Sequence, residues 1–118
     1  MDPRRILGLA GEHVAERELE RRGFRVVARN VRTRFGEIDL VCRDRGGYAF
    51  VEVKTRRAGS FVAAAEAVDA RKAARLAALA QSWLGHRGER DAVWRIVIAA
   101  LTVGAEGTRV ELIDLESL

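Results

Sequence analysis

The chain has 118 residues, 48% hydrophobic and 32% charged, enough to bury a core without disulfide or metal staples. No apolar run reaches the ~20 residues that span a bilayer, and Met1-Asp2-Pro3-Arg4-Arg5 lacks the apolar segment of a secretory signal. The expectation is one cytoplasmic domain, residues 1–118, with no membrane partner. The net charge of +4 is unevenly spread: residues 29–75 hold eleven Lys or Arg against six Asp or Glu. Such a local excess suits a polyanion such as nucleic acid, and it also suits a solvated, arginine-rich surface.

Residues 4–22 have helical periodicity, with Ile6, Leu9, Ala15 and Leu19 on one face and Glu16, Arg17, Glu20 and Arg21 on the other. Gly23 stops this helix. Glu12 falls on the apolar stripe, where an unpaired carboxylate is expensive. It needs a partner, either a bound cation or an arginine at the rim. Gly8 and Gly11 allow the helix to approach a sheet closely. His13 lies off the stripe and reads as a surface residue.

Residues 24–29 read as a first strand. Residues 37–43 alternate, with Ile38, Leu40 and Cys42 opposed to Glu37, Asp39 and Val41. Residues 48–54 alternate as well, with Ala49, Val51 and Val53 opposed to Tyr48, Phe50, Glu52 and Lys54. Between them, Asp44-Arg45-Gly46-Gly47 is a hairpin turn whose glycines supply positive φ. A two- or a four-residue loop places Asp39 opposite Glu52 and Glu37 opposite Lys54, whereas a three-residue loop shifts the register by one. Facing carboxylates repel, so a chain that keeps them together points to a cation, and a divalent metal is the candidate. The lone Cys42 falls on the face opposite Asp39 and reads as core in a reducing compartment.

Residues 55–60 read as a basic, flexible loop beside this site. Residues 70–84 form a second helix capped by Asp69, with Ala73, Leu76, Ala77, Ala80, Trp83 and Leu84 as core and Arg71, Lys72 and Arg75 in its first turns. Residues 61–68 either extend this helix or form a separate piece. Gly85-His86-Arg87-Gly88 breaks the chain, and His86 has no obvious partner. Residues 93–103 read as a buried strand and residues 110–113 as an edge strand. Trp83 and Trp94 fit the core better than a partner surface. Helix, three strands, helix and two strands make an α/β sandwich with a mixed central sheet flanked by helices.

Asp39, a gap, then Glu52-Val53-Lys54 on adjacent strands resembles the PD-(D/E)xK nuclease superfamily, which includes restriction endonucleases and Holliday junction resolvases. More closely, the chain resembles the bacterial YraN family, also called UPF0102. The stretches that carry the resemblance are Gly11-Glu12-x-x-Ala15 with Leu19 and Gly23, Asn30-x-Arg32, Gly36-Glu37-Ile38-Asp39-Leu40, Val51-Glu52-Val53-Lys54, and Val68 with Lys72 and Leu76. The resemblance implies a restriction endonuclease-like fold in which Asp39, Glu52 and Glu12 bind Mg²⁺ or Mn²⁺. Lys54 would orient or help deprotonate a water, or stabilise charge on the scissile phosphate, with Glu37 near the site as a candidate partner of Lys54. Nucleic acid, DNA in the first instance, would meet Arg32, Arg34, Arg56, Arg57, Arg71 and Lys72, and resolvase-like proteins also suggest a homodimer. The implied activity is metal-dependent cleavage of structured or branched DNA. The competing expectation is a catalytically silent nucleic-acid-binding module in DNA processing or uptake. The chain departs from the family pattern at Val97, where an aspartate is common, and at Val62, where a glycine is usual.

Overall fold

The computed structural model describes residues 3–59 and 69–115, the first seven of them by backbone alone. Expectations for the side chains of Ile6, Gly8 and Leu9, for Val62 and Val68, and for the course of residues 61–68, lie outside the described residues. Helix α1 spans Pro3–Arg21. Its turns at Gly11, Ala15 and Leu19 are spaced by four, and Ala15 and Leu19 are fully buried. The helix ends where Phe24 N–H donates to the Leu19 carbonyl at 3.0 Å. His13 is exposed, as expected.

The sheet contains β1 (Arg25–Thr33), β2 (Gly36–Asp44), β3 (Gly47–Arg57), β4 (Trp94–Gly104) and β5 (Gly107–Asp114), in that spatial order. Strand β1 is longer than expected, because its last residues pair with β2 as far as Thr33↔Gly36 despite lacking an apolar alternation. The β2–β3 hairpin closes at Asp44↔Gly47, which is the two-residue loop. Positive φ occurs at Gly47 (+123°) and not at Gly46, whose N–H instead donates to Asp44 Oδ1 at 2.8 Å. A Cβ at Gly47 would also lie 2.3 Å from the Val93 carbonyl oxygen, so this position takes no side chain.

Residues 55–57 are strand rather than flexible loop, because β4 supplies a parallel partner from Tyr48↔Trp94 through Arg57↔Val103. A parallel neighbour needs a crossover, and α2 (Ala70–His86) lies within it. Asp69 caps α2 by accepting from Lys72 N–H at 2.9 Å. The helix runs through His86, whose Nδ1 lies 2.7 Å from the Ser82 carbonyl oxygen, so His86 does have a partner.

One helix covers each face, giving the expected α/β sandwich with a mixed central sheet. Against α1 lie Leu40, Cys42, Ala49, Val51, Val97, Ala99 and Leu101. Against α2 lie Ile38, Val41, Tyr48, Phe50 and Ile96, with Trp83 and Trp94 packed edge-on to Phe50 at 5.7 and 6.2 Å. Burial pushes the Cys42 thiol up to about 12, which fits an inert core residue. Val97 is 5% exposed in the α1-side core.

The expected face alternation of β2 fails at one point. Ile38 belongs to the α2 side, whereas Leu40 and Cys42 belong to the α1 side. The break falls at Asp39. Its β1 counterpart Asn30 is left-handed (φ +51°), and pairing with β3 ends one residue earlier, at Leu40↔Val51. The ladder therefore lapses on both sides of Asp39.

Contact between α1 and β3 is close enough to yield a prediction. A Cβ at Gly11 would lie 2.2 Å from Thr55 Oγ1 and 3.5 Å from a Leu101 methyl group. By helix propensity alone, Gly11→Ala would stabilise α1 by about 1 kcal/mol. The contact outweighs this, and the expected result is a net loss of about 1–3 kcal/mol in denaturant unfolding. An unchanged or raised midpoint would show that α1 does not seat on Thr55.

Candidate metal and phosphate site

The site is built where the β2 ladder lapses. Asp39 Oδ2 accepts a hydrogen bond from the Val53 N–H at 2.7 Å, so a side chain takes the place of a ladder bond. Glu12 of α1 reaches Asp39 from one face and is hydrogen-bonded to it. Burial, followed by the Asp39 charge and that hydrogen bond, raises Glu12 above its ordinary value. Asp39 is raised as well: burial and the Glu52 charge exceed the lowering by the Val53 N–H and the Glu12 hydrogen bond. Both acids therefore resist ionisation more than a free carboxyl does, Glu12 because of burial and the Asp39 charge, Asp39 because of burial and the Glu52 charge.

Glu52 leaves β3 on the side of Tyr48 and Phe50, toward α2. Its Oε1 lies 2.8 Å from Lys72 Nζ and 3.4 Å from Lys54 Nζ. Its Oε2 is buried and has no hydrogen-bond partner among the described residues. Burial disfavours the Lys72 ammonium, but the hydrogen bond and charge of Glu52 outweigh it and raise Lys72. The structure therefore brings Glu12, Asp39, Glu52 and Lys54 into one interacting group and adds Lys72.

Lys72 was expected at a phosphate rather than on Glu52. Its position was readable, since a cap at Asp69 puts Lys72 in the first turn of α2; its contact depended on where that turn meets the sheet. Thr55 was not anticipated. Its Oγ1 is buried beneath Gly11 without a hydrogen-bond partner among the described residues.

Glu37 is corrected. It is exposed and bonded to Arg32 at 2.7 Å instead of Lys54, because Arg32↔Glu37 pair across β1 and β2 while the β2–β3 ladder has already ended. The arginines are dispersed. Arg34 lies over the Phe35 ring at 4.8 Å, Arg56 Nε lies 3.4 Å from Thr102 Oγ1, and Arg57 and Arg71 are exposed at the end of β3 and the start of α2.

Three carboxylates are a hard-oxygen donor set suited to Mg²⁺ or Mn²⁺. A Glu52 oxygen without a partner among the described residues and a carboxyl pair that resists ionisation both fit a cation. Among the described residues, no three Asp, Glu, His or Cys groups gather tightly enough to hold a metal as they stand. The lysines on Glu52 Oε1 are the visible competitors for that carboxylate.

Fold and site together define an α/β sandwich protein with an acid–lysine group at a break in its mixed sheet. The chain belongs to uncharacterised protein family UPF0102, whose family model matches residues 11–114. A UPF0102 protein of Anaeromyxobacter dehalogenans is 45% identical over 111 residues, covering 93% of this chain and 82% of its own. Another from Symbiobacterium thermophilum is 44% identical, covering 87% of each chain. Pyrococcus furiosus SfsA, solved in complex with Ca²⁺, aligns with a TM-score of 0.42 at 18% identity; the match covers 93% of this chain and 62% of that one. Among the described residues, no helix is long and apolar enough to cross a membrane.

The raised carboxyl pair has a consequence for stability. Acids raised on folding contribute fully below their ordinary values of 3.8 and 4.5, and the contribution is lost as pH rises through the raised folded values. In metal-free buffer, the stability of the native chain relative to Glu12→Gln should therefore fall as pH rises above 4.5. Urea midpoints measured from acid to neutral pH test it, and a flat or rising difference would mean that folding does not raise Glu12.

Proposed function

We propose that this protein is a metal-dependent endonuclease that hydrolyses phosphodiester bonds in structured or branched DNA. The observation that carries this reading is the buried Oε2 of Glu52, without a hydrogen-bond partner among the described residues, beside the Glu12–Asp39 carboxyl pair. An orphaned carboxylate oxygen costs stability, and a functional cation would explain its retention.

On this reading Asp39, Glu52 and Glu12 hold Mg²⁺ or Mn²⁺. A bound divalent ion would lower the pKa of an attacking water and polarise the phosphoryl oxygen. The chain's own residues do the remainder. Asp39, fixed to the Val53 N–H, sets the position of the acid group against β3. Lys54, on Glu52 Oε1, carries a positive charge to the place where phosphate charge grows. Lys72 restrains Glu52 from α2. Arg32, Arg34, Arg56, Arg57 and Arg71 supply charge for a backbone that extends beyond the cleaved bond.

One observation favours a second reading. Glu52 is held by two lysines, which suits a module that binds nucleic acid without cutting it. The deciding experiment presents end-labelled four-way junction, flap, single-stranded and duplex DNA with Mg²⁺ or Mn²⁺. Structure-selective cutting is expected, falling by about 100-fold or more in Asp39→Asn and Lys54→Ala. Mn²⁺ should also raise the melting temperature of the native chain and leave Asp39→Asn unmoved. Absence of cleavage, with salt-sensitive binding intact in both variants, would select the binding module.

A further inference from the structure

Strand β5 ends the sheet, and its outer edge has no strand partner among the described residues. The other edge, β1, is blunted by a bulge between Val26 and Ala28 and by left-handed Asn30. No such irregularity protects β5, which pairs with β4 in unbroken register from Gly104↔Gly107 to Val97↔Asp114. From Thr108 onward, past the positive φ of Gly107 (+123°), this edge is regular and is a template for another strand. Its sequence, Gly107-Thr108-Arg109-Val110-Glu111-Leu112-Ile113-Asp114, indicates which strand.

We infer that β5 pairs antiparallel with β5 of a second copy, on a two-fold axis through Val110. Two identical antiparallel strands put their outward-facing backbone groups opposite one another only when the axis passes through a residue, since alternate residues point outward. Among such registers, the one centred on Val110 sets Arg109 against the second copy's Glu111, twice. Moving the centre to residue 109 would oppose Arg109 to itself, and moving it to 111 would oppose Glu111 to itself. The charges thus select one register and disfavour its neighbours. Arg109 and Glu111 are both exposed and share a face, and neither forms an ion pair among the described residues. Val110 and Leu112 point to the opposite side, against the α1 core.

The axis is perpendicular to the sheet, so both α2 faces lie on the same side of the pair. Glu52 is in register with Ile98, and Ile98 with Ile113, three residues from the axis at Val110. Five strand spacings across and six residues along then separate the two Glu52 positions by about 30 Å. One strand pair buries too little surface for a permanent assembly, so the dimer is weak and depends on concentration.

Sedimentation equilibrium without DNA or metal tests the interface independently of any cleavage. The native chain is expected to self-associate reversibly. Glu111→Arg and Arg109→Glu should each weaken the dimer by about tenfold or more. The charge swap R109E/E111R should restore it, because the pairing is mirrored with the signs exchanged. Far-UV circular dichroism on each variant checks the fold, and the swap decides the matter even where one reversal fails to fold. A native chain that stays monomeric, a dimer indifferent to reversal, or a swap that fails to restore association would each overturn the inference. A monomeric result would leave the edge to an extended segment of a different protein.

Discussion

The site depends on one substitution of partners, in which the carboxylate of Asp39 takes the Val53 N–H that a regular hairpin would give to backbone. Strands β2 and β3 pair from the turn to Leu40↔Val51, and beyond that point a side chain continues the connection. On the other side, left-handed Asn30 withdraws β1 at the same level. Because neither neighbour holds Asp39 in a ladder, β2 turns over there, sending Ile38 to the α2 core and Leu40 to the α1 core. That reversal is what lets Glu12 from one face and Glu52 from the other act on a single carboxylate. An uninterrupted sheet would keep the two helices' residues apart.

Charge compensation at the break is lopsided. Glu52 Oε1 has two ammonium groups within 3.4 Å, whereas its Oε2 has no hydrogen-bond partner among the described residues, and burial raises both Asp39 and Glu12. Buried acids arranged for stability alone would be expected to have their second oxygen satisfied as well. Lys72 explains how the arrangement persists: the Asp69 cap fixes the first turn of α2, and that turn delivers the ammonium to Glu52. Close seating of α1 is the counterpart on the other face. Gly11 lets the helix approach Thr55 closely enough for Glu12, one residue on, to reach Asp39.

Much of this was legible in the letters because it depends on local chemistry. The Asp44–Gly47 turn fixes the β2–β3 register, the Asp69 cap fixes the start of α2, and a carboxylate at position 12 on an apolar stripe marks Glu12 as needing a partner. Features set by distant backbone were not legible. Strand β3 extends to Arg57 because β4 lies beside it, and no residue among 55–57 announces that neighbour. Ile38 crosses to the other face because Asn30 is left-handed, a fact about the adjacent strand. Glu37 meets Arg32 because the β2–β3 ladder stops early, whereas period-two reasoning assumes that ladders continue.

The basic excess of residues 29–75 also changes meaning once partners are known. Arg29 is tied to Glu16 and Arg32 to Glu37, while Arg43 lies on the Tyr48 ring and near Glu89. Lys72 is tied to Glu52. These pairings reach across elements: Arg29 joins β1 to α1, and Arg43 joins β2 to the segment after α2. Part of the positive charge therefore holds the sandwich together or neutralises the site, and is not all available to a partner. Exposed pairs such as Arg32–Glu37 are weak enough to exchange one carboxylate for a phosphate at little cost, whereas the Lys72–Glu52 contact, half-sheltered under α2, is not. The nucleic-acid reading thus rests on a surface that a polyanion can recruit by exchange, around a central acid–lysine group whose charges are already committed to one another.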